Sequence, residues 1–194
     1  PMPPTTTLSP WPYPRWIAHR GAGKLAPENT LAAFRLGAQY GYRMFECDVK
    51  LSAEGVPFLL HDDDLRRTTN AEKYASNRPF APASRAQAAP DLIANTPDWV
   101  AGHWPWAALS QLDAGGWHAR SYAGEPLPTL ENLARYCIAN GLFLNIEIKP
   151  TPGLEEKTGQ VVGALAARLW QGQAVPPLFS SFRPEALAGA LATA

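Results

Sequence analysis

Two acidic residues, Glu46 and Asp48, are separated by one residue within a strand-like run at 44–52. Because alternate side chains of a strand share a face, both carboxylates point one way and Cys47 points the other. Carboxylates that share a face repel each other unless a cation lies between them. Ca²⁺ and Mg²⁺ suit a site built from oxygen ligands. The spacing therefore indicates a divalent-cation site, with an ordinary solvated strand face as the alternative.

The run at 44–52 is followed by a turn at 53–55 and a second strand-like run at 56–61. If Glu54-Gly55 is a two-residue hairpin loop, Asp48 falls opposite His61 and on the same face. A three-residue loop with a bulge would shift this register by about one position. The first register predicts an imidazole beside the two carboxylates.

A third carboxylate follows in the alternating run 145–149. Glu147 and Lys149 share one face of this predicted strand, while the isoleucines between them point outward. Glu147 can complete an oxygen-rich metal site, and Lys149 can meet a phosphate as a point charge. The alternative is an exposed face with a weak surface ion pair.

His19 and Arg20 end the short apolar run at 16–19. The fork of an arginine matches two phosphate oxygens, and histidine exchanges protons near neutral pH. A cation, fixed positive donors and an acid–base pair are what phosphodiester hydrolysis requires. Asp62, Asp63 and Asp64 could form a second metal site, but we interpret them as a solvated turn.

Strand and helix signals alternate along the chain, which is typical of a parallel α/β architecture. Helix starts are predicted at Asn29 as N-cap, at Thr129, at Thr151-Pro152 and at Pro184. The predicted strands lie at 16–19, 44–52, 56–61, 142–148 and 177–182. The polar residues collect at the carboxyl ends of these strands, where (β/α)8 TIM-type barrels build active sites.

The chain has 194 residues, whereas a complete barrel takes about 250. We therefore expect an irregular (β/α)8 barrel that is truncated after about five strands. Residues 1–15 are predicted to be a Pro-rich tail and 16–194 a partial barrel domain, with an irregular insertion at about 66–125. The first half of that insertion, 71–96, is expected to be poorly ordered. Its Trp-rich part is interpreted as a lid packed on the barrel, with a ligand platform as the alternative.

Composition excludes several classes of function. Lys plus Arg and Asp plus Glu both number 17, so no global basic field attracts nucleic acid or anionic lipid. No apolar run approaches the ~20 residues of a membrane span, and residues 1–15 do not have the pattern of a secretory signal. These features predict a cytoplasmic protein of unknown oligomeric state. Cys47 and Cys137 are expected to be buried, reduced thiols.

Several motifs occur together in one order, and together they are highly specific. They are His19-Arg20-Gly21, Pro27-Glu28-Asn29-Thr30, Glu46-x-Asp48-Val49, Gly55-Val56-Pro57, His61-Asp62, Leu65-x-Arg67-Thr68-Thr69, the run at 145–149 and Ser181-Phe182. This combination resembles the bacterial glycerophosphodiester phosphodiesterases of the PLC-like phosphodiesterase superfamily. The resemblance covers most of residues 16–192.

The resemblance implies a role for each matched residue. The implied general acid and base are His19 and His61, and the implied ligands of Ca²⁺ or Mg²⁺ are Glu46, Asp48 and Glu147. Arg20 and Lys149 would bind the phosphate. Glu28 would support the first loop and helix start without binding a ligand.

The resemblance also implies a reaction. Substrates would be small deacylated phospholipids such as glycerophosphocholine, hydrolysed to sn-glycerol 3-phosphate and an alcohol. One alternative is a truncated, inactive relative that binds metal or ligand without turnover. Another is a lipase-type phosphodiesterase acting on intact lipid, which the lack of a secretion signal or apolar anchor disfavours.

Overall fold

The computed structural model describes residues 10–77 and 98–193. Its four described strands form one sheet in the order β2-β1-β3-β4. They are β1 (Met44–Leu51), β2 (Pro57–Leu59), β3 (Phe143–Ile148) and β4 (Leu178–Ser180). The helices are α1 (Leu31–Gln39), α2 (Ala71–Asn77), α3 (Trp106–Leu109), α4 (Leu130–Ala139), α5 (Glu155–Leu169) and α6 (Pro184–Leu191). The predicted α/β class is therefore confirmed.

Strand β1 pairs in parallel with β3, and β3 pairs in parallel with β4. Asp48 in β1 pairs with Glu147 in β3, which in turn pairs with Ser180 in β4. The predicted strand at 16–19 is reduced to a single bridge between Ala18 and Phe45. This bridge fixes the loop that follows it against the edge of β1.

The hairpin formed by β1 and β2 has a three-residue loop. Ser52 N donates to Val56 O at 2.9 Å, and Leu51 pairs with Pro57. The two-residue register is therefore wrong, and Asp48 O accepts from Leu60 N rather than lying opposite His61. The physical reason lies in the loop backbone, where Gly55 at the third position has a φ of 95° and Glu54 before it has no positive φ, as a two-residue primed turn would require. A left-handed residue there is typical of three-residue hairpin loops.

The sheet is covered by helices on one face. Every residue of β1 is buried, and Cys47 and Ile146 belong to a core completed by α4, α5 and α6. Cys47 and Cys137 are both buried and free, as expected. Burial raises the pKa of the Cys137 thiol to about 12, which keeps it protonated at neutral pH.

A second core lies under the irregular segment. Trp104 is buried there and stacks on Trp99, with ring centroids 6.1 Å apart, while Trp106 lies 5.9 Å from Phe58. These contacts agree with a lid packed on the barrel. Trp117 is not buried in this core in the way Trp104 is, because 40% of Trp117 is exposed.

Two of the four predicted helix starts match the structure. Thr129 caps α4 by accepting from Asn132 N, and Pro184 is the first residue of α6. Thr30, rather than Asn29, caps α1, while α5 begins at Glu155, later than predicted.

The segment expected to be poorly ordered begins with a helix. Ala71–Asn77 forms α2, and the remainder of that segment, 78–96, lies outside the described residues. None of the helices at 10–77 and 98–193 combines the length and the apolar character needed to cross a bilayer.

Candidate active site

Three carboxylates converge at one edge of the sheet. Glu46 and Asp48 come from alternate positions of β1, and Glu147 comes from the neighbouring strand β3. One oxygen of each lies within 4.8 Å of the others. In the described part of the chain, Glu46 Oε1, Asp48 Oδ1 and Glu147 Oε1 are buried without a hydrogen-bond partner. Buried oxygens of this kind are costly, so these residues fit a bound divalent cation.

Electrostatics within this carboxylate trio lead to the same interpretation. Burial, followed by the charge of Asp48, raises the pKa of Glu46 from 4.5 to about 7. The Arg20 N–H, which donates to Glu46 Oε2 at 3.0 Å, offsets only part of this effect. Without a cation, the folded protein therefore favours a protonated Glu46 in mildly acidic solution.

Asn29 fixes the position of Asp48. Its Nδ2 donates to Asp48 Oδ2 at 2.9 Å, and its Oδ1 accepts from Asp48 N at 3.1 Å. Arg20 Nε lies 3.3 Å from the same Asp48 oxygen as an ion pair. Asn29 and Arg20 have φ values of 57° and 53°, so both lie in the left-handed region. The sequence analysis assigned Asn29 to a helix cap, although Asn is one of the few residues that adopt this region readily.

The two candidate imidazoles contact different parts of the site. His19 Nε2 lies 3.9 Å from Glu46 Oε2, and 67% of its side chain is exposed. His61 Nε2 lies 3.3 Å from Lys149 Nζ, which is itself 3.7 Å from Glu147 Oε1. The fold therefore brings all seven predicted catalytic, metal-binding and phosphate-binding residues into one region.

A network of charges borders this region. Glu28 Oε1 accepts from Arg20 NH1 at 3.0 Å and from Arg67 NH2 at 2.7 Å. Arg67 also binds Asp62, which in turn contacts His61 Nδ1 at 2.7 Å. Burial tends to raise the pKa of Glu28, but the hydrogen bond from Arg67 and the charge of Arg20 outweigh it, so the pKa is lowered. In the sequence, Arg67 stands out only as part of the motif Leu65-x-Arg67-Thr68-Thr69.

Each of the three consecutive aspartates pairs with a different basic side chain. Asp62 pairs with Arg67, Asp63 with Lys50 and Asp64 with Arg66. The carboxylate trio is the one metal-compatible cluster found at 10–77 and 98–193. Lys50 is a residue that the sequence analysis missed: its side chain is 1% exposed, and its Nζ donates to Asp63 Oδ1 at 2.8 Å. Burial lowers the pKa of Lys50, and Asp63 offsets part of this effect.

The fold and this site are similar to those of solved phosphodiesterases. A solved phosphodiesterase from Oleispira antarctica, in complex with the product sn-glycerol-3-phosphate, is similar with 37% identity and a TM-score of 0.72. The match covers 93% of this chain and 62% of the solved chain. Residues 19–191 match the family model described as "Glycerophosphoryl diester phosphodiesterase family", and the chain belongs to that family.

Curated proteins similar to this chain carry names that agree with this family. The chain is 35% identical over 157 residues to the mouse glycerophosphoinositol inositolphosphodiesterase GDPD2, covering 73% of this chain and 26% of the mouse protein. It is 32% identical over 145 residues to a glycerophosphodiester phosphodiesterase of Caldanaerobacter subterraneus, covering 73% and 49%. The chain thus spans about half or less of the length of these relatives.

Proposed function

We propose that this chain carries out the metal-dependent hydrolysis of glycerophosphodiesters to sn-glycerol 3-phosphate and an alcohol. The observation that carries the proposal is the carboxylate trio, whose three buried oxygens without hydrogen-bond partners fit a hard cation. Two imidazoles and two cationic side chains lie around it. Family membership and a solved relative in complex with the product sn-glycerol-3-phosphate support the same reaction.

Glu46, Asp48 and Glu147 would hold Ca²⁺ or Mg²⁺, since oxygen-only ligand sets favour these ions. The bound ion would stabilise negative charge that develops on the phosphoryl oxygens. Asn29 and Arg20 would keep Asp48 oriented towards the ion through the contacts described above. Glu28 would support this arrangement from the side by holding Arg20.

The phosphate would lie between Arg20 and Lys149. Lys149 Nζ is within 4 Å of both His61 and Glu147, so a phosphate bound to it would be close to an imidazole and to the carboxylate trio. Arg20 contacts both Asp48 and Glu28. Its guanidinium is therefore held in place before substrate arrives, which reduces the entropy lost on binding.

His19 and His61 would act as the acid–base pair. Hydrolysis at phosphorus needs one group to accept a proton from the attacking water and another to protonate the leaving alcohol. Two contacts support this assignment: His19 lies beside Glu46, and His61 lies beside Lys149, which in turn lies beside Glu147. The exposed His19 can also exchange protons with solvent between turnovers.

The proposal is tested by measuring sn-glycerol 3-phosphate released from glycerophosphocholine in the presence of Ca²⁺ or Mg²⁺. We expect a chelator to stop turnover, and His19→Ala and His61→Ala to lower kcat by ~10²-fold or more. His103→Ala is the matched control, because His103 pairs with Asp98 in the irregular segment. Near-normal turnover in both catalytic variants would contradict the assignment. Metal binding by the unmodified protein without any turnover would support the inactive relative instead.

A further inference from the structure

Arg67 binds two acidic side chains that come from different loops. Its Nε and NH2 donate to Asp62 Oδ2 and Oδ1 at 2.6 and 3.0 Å. Its NH1 and NH2 donate to Glu28 Oε2 and Oε1 at 3.0 and 2.7 Å. One guanidinium therefore joins the loop after β2 to the loop before α1. Arg67 belongs to a motif of the sequence to which the proposed function gives no role.

Through Asp62, the Arg67 guanidinium is connected to His61. Asp62 Oδ1 lies 2.7 Å from His61 Nδ1, and the hydrogen bond from Arg67 is the main reason why the pKa of Asp62 is lowered to about 2. An ionised carboxylate only accepts hydrogen bonds, so Nδ1 must carry the proton. In the neutral ring the opposite nitrogen, Nε2, then carries no proton, and it faces Lys149 Nζ at 3.3 Å. This is the tautomer that a general base acting through Nε2 needs.

Through Glu28, the Arg67 guanidinium is connected to Arg20. Glu28 Oε1 accepts from both Arg67 and Arg20, and Arg20 in turn lies beside Asp48. Since Arg67 holds both oxygens of Glu28, this carboxylate has one orientation in which to receive Arg20. The side chain of Glu28 is 14% exposed, so water competes weakly for its oxygens.

The geometry requires an arginine at this position. A guanidinium is a planar fork with several N–H donors, whereas lysine presents a single nitrogen that does not reach two carboxylates with fixed geometry. The guanidinium carbon of Arg67 also lies 6.0 Å from the centre of the Trp117 ring, within the range of a cation–π contact. The exposed Trp117 ring therefore packs against the Arg67 guanidinium.

We infer that Arg67 is a positioning residue for both halves of the site: through Asp62 it fixes the tautomer and orientation of His61, and through Glu28 it holds Arg20 beside Asp48. The inference rests on the proposed function for its consequence in turnover. The hydrogen bonds that carry it are independent of any substrate.

The test compares Arg67→Ala and Arg67→Lys with Arg66→Lys. Arg66 is the matched control, because it is exposed, pairs with Asp64 and contacts none of the site residues named above. Imidazole ¹⁵N–¹H correlation spectra in Mg²⁺, recorded without substrate and with the rings neutral, report which nitrogen of His61 carries the proton. His61→Ala assigns the signal among the four histidines.

We expect an Nδ1-protonated His61 in the unmodified protein and in Arg66→Lys. Both Arg67 variants should show a smaller Nδ1-protonated fraction, and their kcat/KM on glycerophosphocholine should fall about 10- to 100-fold, as for other residues that orient a catalytic group. Arg67→Lys keeps the charge at a side chain that is 45% exposed, so it carries the test if the alanine variant unfolds.

An unchanged His61 signal in both Arg67 variants would overturn the inference, whatever happens to turnover. A changed signal with kcat/KM within about twofold of the unmodified protein would overturn it as well. Absence of hydrolysis by the unmodified protein would refute the proposed function instead. The imidazole signal would then decide by itself whether Arg67 positions His61.

Discussion

Asn29 should stabilise the protein in two ways: its side chain bonds to Asp48, and its backbone tolerates the left-handed conformation. Two substitutions separate these contributions. Asn29→Gly removes the paired hydrogen bonds to Asp48 but allows the backbone to keep its φ of 57°. Asn29→Ala removes the same bonds and also places a Cβ in the left-handed region. The difference between the two variants therefore measures the left-handed cost of a residue with a Cβ, less the larger unfolded-state entropy of glycine.

The magnitudes follow from the buried contacts. Asn29 is 2% exposed and Asp48 is fully buried. A hydrogen bond to a charged group contributes about 1.5–3 kcal/mol, and a neutral one about 1 kcal/mol. Asn29→Gly should therefore lower the free energy of unfolding by roughly 2.5–4 kcal/mol. Asn29→Ala should lose about 1 kcal/mol more, because a left-handed conformation costs a residue with a Cβ about 1–2 kcal/mol.

Urea unfolding with a chelator present gives these values without a contribution from bound ion. Asn140→Ala is the control, because the exposed Asn140 makes a single side-chain hydrogen bond, to Tyr136 O, after α4. We expect this control to change stability by less than about 1 kcal/mol. The reasoning is refuted if Asn29→Gly unfolds within about 0.5 kcal/mol of the unmodified protein, or if Asn29→Ala is as stable as Asn29→Gly.

Two further predictions concern the same region. Burial and neighbouring carboxylates raise the pKa of Glu46 from 4.5 to about 7. The chelated folded state therefore binds more protons than the unfolded chain, and it should lose up to about 3 kcal/mol of stability as the pH rises through this window. Glu46→Gln should flatten that pH slope in urea titrations, and an unchanged slope would contradict the cause given. Gly21→Ala should cost more stability than Gly23→Ala. A Cβ at Gly21 would lie 2.8 Å from Ala33 Cβ, whereas one at Gly23 meets nothing within 4 Å. The opposite order of urea unfolding midpoints would disprove this prediction.

The carboxylate pair on β1 could be predicted from the sequence because strand periodicity is local. Glu46 and Asp48 share a face whatever the strand pairs with. The same reasoning correctly assigned the α/β class, the cap at Thr129 and the start of α6 at Pro184. In each case the signal lies within a few residues of the feature that it determines.

The hairpin register could not be decided from the sequence. A two-residue primed turn would need a positive φ at Glu54, which the structure does not have, whereas Gly55 permits either loop. The same limit explains the error at Asn29. An asparagine before a helix is a good N-cap by composition, yet its backbone enters the left-handed region and its side chain turns to Asp48.

The sequence by itself determined which side chains could do chemistry and which of them share a strand face, since these properties depend on residue type and local periodicity. Only the tertiary structure decided that Glu147 lies opposite Asp48 and that Arg67 joins Glu28 to Asp62. These contacts join residues from 5 to 99 positions apart in the chain. Their geometry depends on strand register and loop conformation, which are set by the packing of the whole domain rather than by neighbouring residues.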